Sequence, residues 1–168
     1  ITGSSTVCPG SQITLNSNYS GTWSSSVPAD VSVIDNEVGT FEGVSPGGES
    51  TITITTDDGC NANKIITVSA TPTVEAGDSK SICEGTAVTL EATSTISSGV
   101  SFSWSSSSSS TVALSQGESY IPSTTTTYTV VAESSAGCEA TDTRTITVNS
   151  KPTVTSSSPS PVCLGGSI

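Results

Sequence analysis

The residues most able to do chemistry are five cysteines, Cys8, Cys60, Cys83, Cys138 and Cys163, in a chain with no histidine. A zinc site wants closely spaced Cys or Cys/His ligands, and that spacing is missing. A catalytic thiol would lack its basic partner. The chemistry left to the cysteines is oxidation to disulfides, which implies an oxidising, extracellular place. The acids come next. Asp57-Asp58-Gly59 invites a calcium ion, but calcium takes roughly six to eight oxygens, and no Asp-x-Asp-x-Asp cluster exists. Solvated turn acids are the plainer reading. Asn18-Tyr19-Ser20 fits a glycosylation sequon, which matters only in a host with that machinery. Trp and Tyr could build a sugar-binding platform. Trp23 and Trp104, however, hold equivalent places in a repeat, which assigns them to a core and leaves Tyr19 and Tyr120 freer. No catalytic, cofactor-binding or metal-binding residue is expected.

Composition narrows the function further. The 168 residues carry 15 acids against 4 bases, a net charge of −11, and a pI near 4.1. A nucleic-acid partner needs Lys and Arg to replace phosphate counterions, so none is expected. No apolar run approaches the ~18 residues of a membrane span, so no membrane insertion is expected. More than a third of the chain is Ser or Thr. The hydrophobic residues still alternate clearly enough to argue against disorder, and the acids keep a Ser/Thr-rich surface soluble.

The elements that must position these residues come in repeats. Val7-Cys8-Pro9-Gly10-Ser11 returns as Ile82-Cys83-Glu84-Gly85-Thr86 and begins again as Val162-Cys163-Leu164-Gly165. Trp23-Ser24-Ser25-Ser26 returns as Trp104-Ser105-Ser106-Ser107, Gly59-Cys60 as Gly137-Cys138, and Ile66-Thr67-Val68 as Ile146-Thr147-Val148. The copies diverge most between the Trp and the second Cys, where loops are expected. Thr71-Pro72 and Lys151-Pro152 each close an alternating run, and proline there stops the ladder. The organisation that follows is one domain over 1–71, a second over 72–151, and the truncated start of a third over 152–168. The chain thus reads as a piece of a longer protein.

Each copy reads as all-β. Thr51-Ile52-Thr53-Ile54-Thr55 and Thr127-Tyr128-Thr129-Val130 alternate plainly. Ser45-Pro46-Gly47-Gly48, Asp57-Asp58-Gly59 and Ser135-Ala136-Gly137 supply turns. About seven short strands per copy is the signature of an immunoglobulin-like β-sandwich, here in tandem and head to tail. In the second copy, strand B falls near 86–92, C near 101–105, F near 127–133 and G near 141–149. Trp23 and Trp104 then lie on strand C, facing the core. Tyr128, early on strand F, is a candidate tyrosine-corner residue. The serine run 105–110 is expected to be a polar loop after strand C. The Thr-x-Thr pairs do not make an ice-binding face, which needs a much shorter repeat.

Two disulfide schemes fit the spacing. The default is one bond per domain, Cys8–Cys60 and Cys83–Cys138. Against it, the first Cys of each copy lies at the A–B turn and the second in the F–G turn, at opposite poles of a sandwich. A strand of six or seven residues separates those poles by roughly 20 Å, whereas a disulfide needs Cα atoms within about 7 Å. In a head-to-tail array the favoured bond is Cys8–Cys138, between domains. Cys60, Cys83 and Cys163 then pair outside this segment.

Ile82-Cys83-Glu84-Gly85, the Val-Thr-Leu strand, Trp104, the run 124–130, Gly137-Cys138 and Ile146-Thr147-Val148 resemble the Ig-like and PKD-like repeats of Bacteroidota surface proteins. Residues 1–70, with Trp23-Ser24-Ser25-Ser26 and Val44-Ser45-Pro46-Gly47, look more like the bacterial Ig-like type 2 variant. The resemblance implies a very large adhesin exported by the type IX secretion system, gliding adhesins among them, at the cell surface or secreted. The implied job is a load-bearing stalk for a distal adhesive region. Its partners would be neighbouring repeats, with surface polysaccharide or other cell-surface components as the ligand class. The same modules also occur as accessories of secreted polysaccharide-degrading enzymes, and a subunit of an extracellular filament is a third reading.

Overall fold

The computed structural model describes residues 1–96 and 98–155. Cys163, and with it residues 156–168 of the expected third domain, lies outside the described residues. The described chain is built from strands, seven in each half, as the alternation and turn chemistry require.

In the first half, β1 (Thr6–Val7), β2 (Gln12–Thr14), β3 (Thr22–Ser25), β4 (Val31–Asp35), β5 (Thr40–Gly43), β6 (Glu49–Thr55) and β7 (Asn61–Val68) form two sheets. Their orders are β1-β7-β6-β3 and β2-β5-β4. Val7, Trp23, Ile52, Ile54, Ile66 and Val68 from the first sheet meet Val31, Phe41 and the adjoining Leu15 in one buried cluster. Each such side chain contributes about 1.5–3 kcal/mol on burial. Trp23 packs edge-on against Phe41, ring centroids 5.9 Å apart. Gly39, at φ +83°, lies against the Trp23 indole, where a Cβ would stand 2.8 Å from Nε1. Only glycine accepts both that conformation and that approach.

In the second half, β8 (Lys80–Cys83), β9 (Val88–Thr89), β10 (Val100–Ser106), β11 (Ser109–Leu114), β12 (Ser119–Tyr120), β13 (Thr126–Ser134) and β14 (Glu139–Asn149) make a sheet ordered β11-β10-β13-β14-β8 and a pair β12-β9. A second cluster gathers Ala76, Ile82, Val88, Leu90, Ala92, Trp104, Tyr128, Val130 and Ile146. The two clusters share no residue.

Strands C, F and G of the second half fall where the alternation puts them, as β10, β13 and β14. Strand B does not. Only Val88–Thr89 is strand, because the turn around Gln116 takes over the following backbone groups. Gly117 N–H donates to Leu90 O at 2.8 Å, and Gln116 Oε1 accepts from Ala92 N–H at 3.1 Å. Two expectations of loop are corrected. Besides the expected strands at 51–55 and F, the divergent stretch between the Trp and the second Cys holds β4 and β5 in the first half, and β11 and β12 in the second. The serine run is strand, tight turn and strand, because Ser105 and Ser106 still pair with Thr129 and Tyr128 before the chain reverses.

Candidate functional site: the disulfide junction

The bonded cysteines are Cys8 and Cys138, with Cα atoms 5.6 Å apart and 130 residues between them in sequence. Cys60 and Cys83 are exposed free thiols. The one-bond-per-half pairing, Cys8–Cys60 with Cys83–Cys138, is therefore corrected, and the strand register gives the reason. β1 pairs in parallel with the far end of β7, Val7 opposite Val68. Cys60 precedes the near end of that strand. Eight residues of strand hold them roughly 25 Å apart at about 3.3 Å per residue. The same holds for the second half, where Cys83 sits opposite Asn149, the last residue of the strand that Cys138 precedes.

Two turns present the bonded sulfurs. Cys8 closes β1 and begins the turn Cys8-Pro9-Gly10-Ser11, in which Ser11 N–H donates to Cys8 O at 3.0 Å and Gly10 takes φ +71°. Cys138 ends the hairpin between β13 and β14. There Ser134 N–H donates to Cys138 O at 2.9 Å, Gly137 N–H to Ser134 O at 2.9 Å, and Cys138 N–H to Ser134 Oγ at 3.1 Å. A cleft of about 360 Å³ surrounds the bond, lined by Pro9, Ser11, Thr71, Gly137 and Glu139 beside the two cysteines.

The free thiols ride on the same two turns. At Cys60, Thr56 N–H donates to Cys60 O at 2.9 Å, Gly59 N–H to Thr56 O at 2.9 Å, and Cys60 N–H to Thr56 Oγ1 at 3.1 Å. Gly59 and Gly137 have φ of +80° and +79°. At Cys83, Thr86 N–H donates to Cys83 O at 3.0 Å, and Gly85 takes φ +82°.

The repeated Trp-Ser-Ser-Ser has a role that the sequence did not disclose. Its last serine clamps the neighbouring strand by two bonds. Ser26 N–H donates to Thr51 O, and Thr51 N–H to Ser26 Oγ, both at 3.0 Å. Ser107 and Thr127 repeat this at 2.9 and 3.0 Å. Among the described residues, the residue before each threonine is the buried polar one of its half, Ser50 at 1% exposure and Thr126 at 2%. Ser50 Oγ lies 2.8 Å from Ser25 Oγ and accepts from Val27 N–H at 3.0 Å. The sequence clue was only the recurrence itself, since serine after a strand usually signals a loop.

Trp23, Trp104 and Tyr128 are buried in the two clusters. Trp104 Nε1–H donates to Gln116 Oε1 at 2.9 Å, and Gln116 Nε2–H donates to Ala92 O at 2.7 Å. Gln116 thus satisfies the indole and ties it to the opposite edge. Burial, and then the nearby Tyr120, push the Tyr128 hydroxyl above the usual tyrosine pKa. Tyr120 is not free: it packs on the second cluster, and its hydroxyl lies 3.0 Å from Glu118 Oε2. Tyr19 is 75% exposed. Asp57 and Asp58 are exposed on their turn. Among the described residues no three His, Cys, Asp or Glu side chains are grouped so as to hold a metal.

A model of the domain family described as "Ig-like domain CHU_C associated" matches residues 69–152. No curated protein matches the chain. Among solved structures it is similar to a chimeric titin Z1Z2-Z1Z2 tandem functionalized with a GRGDS peptide from fibronectin, at 16% identity and TM-score 0.35, over 86% of this chain and 94% of that one. Sidekick-1 immunoglobulin domains 1–4 match at 19% identity and TM-score 0.38, over 86% of this chain and 48% of that one. The human Desmocollin-1 ectodomain matches at 14% identity and TM-score 0.33, over 89% and 38%. The chain thus spans less than half the length of the latter two.

Proposed function

The chain belongs to the family of CHU_C-associated Ig-like domains, and from that premise we propose that it is a stalk segment of a large bacterial cell-surface adhesin. Its two cores are tandem Ig-like domains, divided near residues 71–72 and set head to tail. It carries a distal adhesive region away from the cell, bears load and performs no catalysis. The Bacteroidota surface and the type IX route follow from the resemblance of its repeats.

One observation carries this reading, the bond from the A–B turn of one half to the F–G turn of the other. A disulfide that served only to steady a small core would lie within that core. One that crosses between cores resists their separation instead. The oxidising setting it needs agrees with a place outside the cell.

The test separates spacing from recognition. In the parent protein, this segment is replaced by an unrelated pair of sandwiches of equal span. Adhesion of the cells is expected to persist after replacement and to weaken after simple deletion. Loss of adhesion after replacement, with surface display intact, would show that the segment itself binds the ligand and would overturn the stalk reading.

A further inference from the structure

Cys60 and Cys83 are not spare thiols on unrelated loops. Each sits in the turn that elsewhere in this chain holds a bonded cysteine, with the same backbone hydrogen bonds and the same left-handed glycine. The bonded pair states the rule: the cysteine after a first strand joins the cysteine of a later unit's last hairpin.

A cleft of about 620 Å³ opens beside Cys60, lined by Tyr19, Ile54, Asp57, Asp58, Cys60 and Asn61, among others. At the occupied junction, what meets the equivalent hairpin is the turn Cys8-Pro9-Gly10-Ser11 with Thr71 beside it. On the second half, Thr71 is replaced by Lys151, whose Nζ lies over the Cys83 turn, 3.5 Å from where a Cβ on Gly85 would stand. A turn that brings this ammonium to the Cys60 cleft would set it against Asp57 and Asp58. The turn's own acid, Glu84, stands where Pro9 is, and opposes part of that attraction.

We infer that the Cys60 face is a docking site for the Cys83-type turn of another unit of this same kind, and that a second copy of this chain fills it head to tail with a Cys83–Cys60 bond. The bond forms by exchange with an external disulfide oxidant such as oxidised glutathione. Two thiols lose two protons and two electrons, one S–S bond forms, and the oxidant is reduced to two thiols. The inference rests on reading the chain as a run of like units, and it concerns which surfaces meet rather than what the parent protein does.

The experiment uses the full chain with Cys163→Ser throughout, so that each further variant keeps one free thiol. Cys60→Ser retains Cys83, and Cys83→Ser retains Cys60. Each is held in a glutathione redox buffer, alone and mixed one to one, and read by non-reducing electrophoresis and intact mass. The mixture is expected to yield a disulfide-linked heterodimer at least tenfold faster than either variant alone yields a homodimer. Adding Lys151→Glu to the Cys60→Ser partner should slow it several-fold. Homodimers forming as fast as the heterodimer would overturn the inference, because mere exposure would then explain the reactivity. So would a mixture that gives only glutathione adducts. Neither result would touch the stalk reading, which stands on Cys8–Cys138 and is decided by the replacement test.

Discussion

Pulling the chain by its two ends should extend far less of it than its length allows. Load entering at the amino terminus runs through β1 to Cys8, crosses to Cys138, and leaves along β14. The chain between the cysteines, a separation of 130 residues, is bypassed. At roughly 3.4 Å per extended residue, the bond hides about 440 Å of contour. Peeling β14 away can disrupt the second core, yet the bypassed residues still add no length. Single-molecule force extension of the end-tethered chain should therefore show only the short outer segments under oxidising conditions. With reductant, or with Cys8→Ser, the missing ~440 Å should appear, in one release per core. Appearance of the full length in the oxidised chain, with the bond verified by mass, would refute the load path deduced from the connectivity.

Ser50→Ala should cost about 1–3 kcal/mol in denaturant unfolding, because the Val27 N–H and the Ser25 hydroxyl lose a buried partner. Gly39→Ala should cost about 2–4 kcal/mol, from a left-handed φ together with a Cβ driven into the Trp23 ring; near-UV circular dichroism of the aromatic signals reports it. Gln116→Ala should lower stability by about 1–3 kcal/mol and alter Trp104 fluorescence, since the indole N–H loses its acceptor. Asp142 is held below its ordinary pKa, first by the Ala76 N–H and then by that of Thr143. The folded state thus favours the carboxylate, so its contribution is whole above the unfolded pKa of about 3.9 and is lost as pH falls through the lowered value. Thermal melts of the Asp142→Asn variant and the parent should differ at neutral pH and converge under acid.

The repeat made the larger architecture legible. Trp23 and Trp104, Val7 and Ile82, and Ile66 and Ile146 occupy matching places because an apolar residue at fixed register in a sandwich has one face to bury. The Cys8–Cys138 bond was legible as well, from the poles on which the cysteines lie. The short sheet β2-β5-β4 was not. Its strands are three to five residues long, and Val33, Ile34 and Val38 blur their alternation, so divergence between the copies passed for loop. The serine clamps escaped for a related reason. A hydroxyl that replaces a backbone partner across strands leaves the same composition as a turn, and only the spatial pairing of Ser26 with Thr51, and of Ser107 with Thr127, separates the two. Gln116 reaches Trp104 and Ala92 across sequence gaps of 12 and 24 residues, which no local pattern encodes.

The bond between Cys8 and Cys138 also changes what a cut can do. Proteases cut a folded chain at its exposed turns, and here Asp57-Asp58-Gly59 and the turn at Gln116 both lie between the two cysteines. A single scission at either of them leaves both pieces tied through sulfur. If the neighbouring units are linked by the same rule, the loops overlap, and every residue from one A–B turn to the next lies inside at least one of them. The array would then part only where two cuts fall in separate places, or where a cut and a reduction coincide.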